Sequence, residues 1–394
     1  MLSKKVSSSH SVPFWRDVRV LRVMGQVVFL VIIAAGILWL LNNLQVNLRA
    51  CGLRISFNFL RNTAGFPISE GLRYNPTDVH GYAFWVGIVN TIRISLIGIV
   101  LTTIIGTVVG IARLSSNWLV KKLAGLYVEV VRNIPLLVQL FFWYFAVMLT
   151  ALPMVKNSIT LPGSIYLTRR GVYLPWITLA ESFGTWAWYI IGGLVVAIAV
   201  YVFRRIQLKR AERPGFPIIW AGTILILILG AGWFLTPGNP LALTIPVLKR
   251  FNFEGGLWLS TSFTSLLIGL SVYTGAFIAE IVRAGILAIS RGQTEAARAV
   301  GLKKAHVLRL VVLPQALRVI IPPLASQYLN LTKNSSLAIL IGYYDLMNVG
   351  TTIFNQTGRA VEMIMLIMAS YLTMSLLTSL LMNYYNRRMK LVER

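Results

Sequence analysis

The residue spacing with most to say is Glu295, Ala296, Ala297, then Gly301, then Val311, Leu313 and Pro314. These residues sit in a basic, polar stretch between two apolar segments. Residues 293–300 are good helix formers and include three alanines, which predicts a short helix. Its alanine face is flat enough for another protein to approach closely. Gly301 allows a sharp backbone turn because it has no Cβ. Residues 302–312 predict a second helix, with Lys303, Lys304 and Arg309 exposed and Leu302, Leu310 and Val311 apolar. The chemistry expected of such a helix–turn–helix is mechanical: a rigid lever.

Two other groups could act on a solute. Glu280 and Arg283 stand three apart and can pair on one helix face, as a gating or a structural ion pair. Downstream, Pro322 and Pro323 are expected to disrupt their span. Gln327 and Asn334 are seven residues apart, about two helical turns, and share a face if a helix runs through both. Lys333 lies beside Asn334, and Ser335 and Ser336 can cap a short helix beginning near Leu337. A helix broken at membrane depth offers free N–H groups to an anion. These polar groups line a solute path or merely satisfy the broken backbone. His10, His80 and His306 have no metal-ligand spacing, so no metal is expected. Arg93 is a buried cation or reaches the interface along its stem.

These groups must be positioned by membrane helices. The 394 residues are 56% hydrophobic and only 12% charged, too apolar for a soluble globular protein. A span needs about 20 apolar residues. Eight candidates are read at 25–44, 82–112, 133–152, 186–203, 216–235, 257–282, 312–332 and 361–385. The expected fold is therefore all-α and polytopic, a bundle of about eight transmembrane helices. The first span lacks a cleavage site and reads as a retained anchor behind a basic N-terminus, 1–24. Cys51 is the only cysteine, which excludes an intrachain disulfide.

The net charge of +25 reports topology. With the N-terminus inside and sides alternating, the inside segments hold 24 Lys and Arg and the outside segments 10. That asymmetry predicts both termini in the cytosol and argues against a nucleic-acid partner. Residues 153–256 concentrate turn signals around two spans. An even number of spans returns the chain to the same side. The block therefore reads as an insertion between a first core part, 82–152, and a second, 257–394, which includes the loop 283–314. Small residues at 102, 103, 106, 107 and 110 give one helix face low relief, as close packing in lipid requires.

Five stretches occur in order: Asn90–Ser95, Arg132–Gln139, Ala279–Gly285, Gly292–Gly301 and Lys333–Leu337. Together they resemble the permease subunits of bacterial ABC importers for polar amino acids, of the histidine, glutamate and arginine type. The loop at Glu295–Pro314 resembles the EAA loop of that superfamily. The extra first span and long middle resemble the larger permeases of general L-amino-acid importers. The resemblance implies an inner-membrane permease subunit whose loop docks on a separate ATPase. The implied partners are that ATPase, a second permease (a paralogue or a copy), a periplasmic binding protein, the L-amino acid and membrane lipid. ATP and Mg would be bound by the ATPase, with no cofactor in this chain. Relatives that carry cationic amino acids tend to have carboxylates where Gln327 and Asn334 stand. Two neutral amides here suit a broader range.

A secondary transporter or channel is the alternative. It would not need a motor-docking loop and often shows an inverted repeat, which this sequence lacks. A membrane enzyme is disfavoured by the absence of a phosphate-loop motif, a metal cluster or a catalytic triad.

Overall fold

Apolar length sets the architecture. A computed structural model of the chain describes residues 18–50, 55–211 and 215–389. Cys51, the first part of the basic N-terminus, the Arg213–Pro214 turn and the last five residues lie outside the described residues. The helices are α1 (Val18–Ala50), α2 (His80–Ala112), α3 (Trp118–Asn133), α4 (Leu136–Phe141), α5 (Phe183–Arg210), α6 (Pro217–Leu235), α7 (Thr261–Leu287), α8 (Arg291–Ala299), α9 (Lys304–His306), α10 (Leu313–Asn334), α11 (Leu346–Thr357) and α12 (Ala360–Met389). Among the described residues, seven helices are long and apolar enough to cross a bilayer, or eight if one bent pair forms a span.

That bent pair is where the span read at 133–152 lies. α3 and the helical run Leu136–Ala151 meet at 105°. Pro135 caps α4 in an extended conformation, which a proline adopts readily. The carbonyls left open at the end of α3 are not orphaned. The buried Gln139 donates Nε2 to Val131 O at 2.8 Å and to Ile134 O at 2.9 Å, stapling the corner. Beyond α4 the helix widens into π geometry from Phe142 to Ala151.

α2 and α7 form the centre of the bundle. A Cβ on Gly106 would lie 2.5 Å from Ile278 Cγ2, and one on Gly110 would lie 2.7 Å from the carbonyl oxygen of Ala279. The two backbones touch through the small face expected at 102–110; Thr102, Gly106 and Gly110 are its buried members. α10 packs against α7 in the same way. A Cβ on Gly285 would meet Ile320, and Ile278, Val282, Ala316 and Ile320 form one buried cluster. At the other end of the bundle, residues 55–79 fold over α2, α11 and α12. There Phe59, Phe66 and Ile68 pack against Val86, Leu346, Val349 and Met363.

The segment between the two core parts, with the first residues of the second, adds eight short strands to the helical bundle. β1 (Ile159–Leu161), β2 (Ile165–Thr168) and β3 (Gly171–Leu174) form an antiparallel sheet closed by β8 (Leu257–Ser260). β4 (Trp176–Leu179) pairs with β5 (Leu241–Thr244), and β6 (Val247–Lys249) with β7 (Asn252–Glu254). Each pair is short, and β4 and β5 join residues more than 60 positions apart. The hairpin of α5 and α6 grows from the β4–β5 ribbon and packs on itself. Trp186 Nε1 donates to Leu229 O at 3.2 Å, and its ring stands edge-on to Trp233. α1 is exposed on all sides.

Two expectations about the later spans need correction. Pro322 and Pro323 do not break α10, which runs through both to Asn334. Membrane helices accept proline where neighbouring groups satisfy the freed backbone. Nor does a separate helix 302–312 precede the span. α9 passes through a π segment at Val307–Val312 directly into α10. Pro314 sits directly after the π segment, where α10 begins.

The central contact is testable. Gly110→Leu puts atoms against a backbone carbonyl that cannot rotate away. It should cost about 2–3 kcal/mol, the scale of overpacking, read as a lower melting temperature of the purified protein. Gly222→Leu, where a Cβ meets nothing within 4 Å, is the control. Equal melting of the two variants would contradict the close packing.

Candidate coupling loop and solute path

The loop is a short helical hairpin ended by glycine chemistry. α8 stops at Ala299, and Gly301 takes φ +84°, the left-handed region. Leu302 N donates to Ala297 O at 3.2 Å and Gly301 N to Arg298 O at 2.9 Å. That pattern is a Schellman cap, in which glycine is favoured at the left-handed position. The apolar contact that accompanies such a cap is present: Leu302 packs against buried Ala297, Val307 and Val312. Ile286 and Ile289, at the end of α7, complete this cluster. The hairpin is thereby attached to both α7 and α10.

The loop residues divide by exposure. Glu295, Ala296, Gly301 and Leu313 face outward, and Pro314 is half-buried. Ala297 is buried, so it belongs to the packing face rather than the open one. Leu310, read as part of the packed side, is instead exposed. The tip also carries Val300 at 78% exposure, which the sequence reading missed. Its signal was available: a β-branched apolar residue directly before the turn glycine, with no helix left to bury it.

Glu280 and Arg283 pair as expected, with Arg283 Nε 3.2 Å from both carboxylate oxygens. The structure adds a third member. Arg113, just past the end of α2, also donates to Glu280 through Nη1. The carboxylate therefore ties the end of α2 to α7, about two turns before α7 ends. Sequence spacing could not show this, because Arg113 and Glu280 are 167 positions apart.

The solute-path candidates are less gathered. α10 continues through Gln327 and Asn334, so the two amides do share a face. Both are half-buried, and Lys333 is exposed. Ser335 and Ser336 do not cap a new helix. Their hydroxyls donate back to Thr332 O and Lys333 O, each at 2.8 Å. A 3₁₀ turn, Ser335–Ile341, follows without a break, and Ser335 N is already bonded to Leu331 O. The free N–H cluster expected there is absent. One further polar tie was not foreseen: Tyr328 OH and Thr103 Oγ1 lie 2.8 Å apart, joining α10 to α2.

The family described as "Binding-protein-dependent transport system inner membrane component" matches residues 215–391. The general L-amino acid transport system permease AapQ of Rhizobium johnstonii is 46% identical over 373 residues, 94% of this chain and 92% of its own. This chain belongs to the permease family of amino-acid ABC transporters. The putative amino-acid ABC transporter permease YhdX of Escherichia coli is 44% identical and covers 94% of both chains. The glutamate/glutamine/aspartate/asparagine permease BztB of Rhodobacter capsulatus is 42% identical over 96% of both. A solved amino acid ABC transporter superposes with a TM-score of 0.47 at 22% identity, covering 78% of this chain and 95% of that one.

In the permease, the end remote from the loop holds two carboxyls, Glu70 and Asp345, whose pKa values burial raises. Glu70 lies in the segment folded over α2. Burial pushes its pKa up to about 7, with Arg93 opposing. Gly71 beside it sits against Asn90, whose Nδ2 donates to Glu70 O and Tyr344 O. Arg93, half-buried, lies over the Phe263 ring at 4.8 Å, near the start of α7. Asp345 caps α11, and burial raises it to about 7 also, against the hydrogen bonds from the Asn348 and Met347 amides. Between their ordinary values and about 7 the native state binds more protons than the unfolded chain. Stability is therefore lost as pH rises through that window. Thermal unfolding in detergent should show lower stability at pH 8 than at pH 5.5. Glu70→Gln should flatten part of that slope and raise stability at pH 8 by up to about 3 kcal/mol. An undiminished slope would show that Glu70 is not the titrating group.

Proposed function

We propose that this permease moves polar L-amino acids inward, driven by an ATPase subunit that docks on the turn at Gly301. The observation that carries this reading is the exposed, glycine-capped hairpin continuous with α10. A groove on the ATPase that grips Val300 and the outer face of α8 would move α10 as one body. ABC permeases work with an ATPase and a solute-binding protein. A second permease, paralogue or copy, would complete the pathway. The chain has no phosphate-loop motif, so ATP and Mg would be bound by the ATPase.

The 24-to-10 charge split supports a cytosolic position for the loop and for both termini. The segment 55–79 would then face the periplasm, where the binding protein delivers. Residues 153–256 act as an insertion into a core of 82–152 and 257–394. The pairing of β4 with β5, where the chain leaves and returns, supports that division. Polar L-amino acids are supported as cargo by the relatives, whose names include general L-amino acids and glutamate, glutamine, aspartate and asparagine.

Gly301→Asp strains a left-handed position and adds a charge at the docking tip. No atom lies within 4 Å of the added Cβ, so the cost is the backbone strain at φ +84° and not a clash. Uptake in reconstituted vesicles should fall to background, with membrane insertion intact. Normal substrate-stimulated ATPase in this variant would refute the lever.

Gln327 and Asn334 set selectivity if they face the path. Asn334→Asp places a carboxylate beside Lys333. A residual interaction of about 1.4 kcal/mol would change relative affinity tenfold. Binding to the isolated permease should shift toward Arg and Lys and away from Glu and Asp. An unchanged preference would make the amides structural.

A further inference from the structure

We propose that the corner between α2, α3 and α7 is a binding site for the headgroup of an anionic phospholipid. A cavity of about 410 Å³ opens there, lined by Arg113, Trp118, Lys121, Lys122, Glu129 and Arg283. Its charges do not cancel. Arg113 and Arg283 share the one carboxylate of Glu280, and Glu129 is the other acid. Four cations against two carboxylates leave room for one or two phosphate charges. The two arginines keep N–H donors that Glu280 does not take, since each guanidinium has five.

α3 explains why the ligand is a lipid rather than a soluble anion. At 3.6 residues per turn the helix has three faces. Ala124, Tyr127 and Val128 pack on α7, where Tyr127 OH donates to Val272 O at 2.7 Å. Trp118, Lys121, Lys122 and Glu129 line the cavity. Leu119, Leu123 and Val130 form a third face, exposed and wholly apolar, and Leu126, which also lines the cavity, joins it to the basic face. A soluble phosphate or nucleotide would leave that face in water. A phospholipid satisfies both at once, its phosphate among the cations and its acyl chains on the leucines. Trp118 is 73% exposed beside the cations, and an indole favours the membrane interface. Basic pockets between transmembrane helices suit anionic headgroups in this way. The lipid would bridge α3 to the Arg113–Glu280–Arg283 cluster, and so occupy the end of the α2–α7 pair nearest the coupling loop.

The test uses the purified full transporter in phosphatidylcholine nanodiscs doped with cardiolipin, read by native mass spectrometry as retained lipid. The double substitution Lys121→Gln and Lys122→Gln alters only exposed side chains. It should weaken cardiolipin retention about thirtyfold, at about fivefold per lysine. Lys209→Gln with Arg210→Gln removes the same charge from the end of α5 and should leave retention unchanged. Leu123→Gln should weaken retention without altering binding of inorganic phosphate. The proposal is overturned if the two double variants lose lipid equally, if neither loses it, or if inorganic phosphate displaces cardiolipin at comparable concentration.

Discussion

Everything in this bundle depends on the backbone contact between α2 and α7. In lipid there is no hydrophobic force to press two helices together, so packing of atoms must do it. Gly106 and Gly110 let the α2 backbone approach Gly275 O and Ala279 O to a distance no larger residue permits. That approach brings the helix ends together, and only then can Arg113 reach Glu280. The ion cluster is thus a consequence of small residues several turns away. It locks the pair toward the end where the hairpin attaches, through Ile286 and Ile289.

The same logic makes the hairpin mechanical. A turn held by a Schellman cap and a small apolar cluster has few soft degrees of freedom. Its second arm does not end but becomes α10. Any displacement of the tip is therefore carried into the bundle, where α10 meets α7 at Gly285 and α2 at Gly98 and Tyr328. The π segment at Val307–Val312 is the one irregular stretch along this path. Wider helical turns of that kind commonly sit at functional positions, and here it joins the hairpin to α10.

What could be read from the sequence follows a simple division. Properties that are local in the chain were legible. Apolar length gave the spans, small residues at helical spacing gave the α2 face, and alanines followed by glycine gave the hairpin. Glu280 and Arg283 were legible because three residues is one helical turn. Properties that depend on what packs where were not. Arg113 joins the pair across 167 positions, and Ala297 faces inward because α7 stands behind it. Pro322 and Pro323 misled because proline breaks helices in water, where freed carbonyls find solvent. In a bundle the helix is retained. The strands of 153–260 were hidden by their shortness, since three or four residues carry no periodicity that separates them from turns.

The apolar surface left open limits how the molecule can exist. α1, both faces of the α5–α6 hairpin and much of α12 expose large aliphatic and aromatic side chains. In water such area would drive aggregation. In a bilayer it costs nothing, because acyl chains are as apolar as leucine. The contrast with α7, most of whose apolar stretch is buried, separates the helices that hold the fold from those that only cross. α2, α7 and α10 carry the buried polar ties, the glycine contacts and the connection to the hairpin. The peripheral helices make narrower contacts, as where Gly232 of α6 meets Tyr189 of α5 and Tyr371 of α12 donates to Asp345.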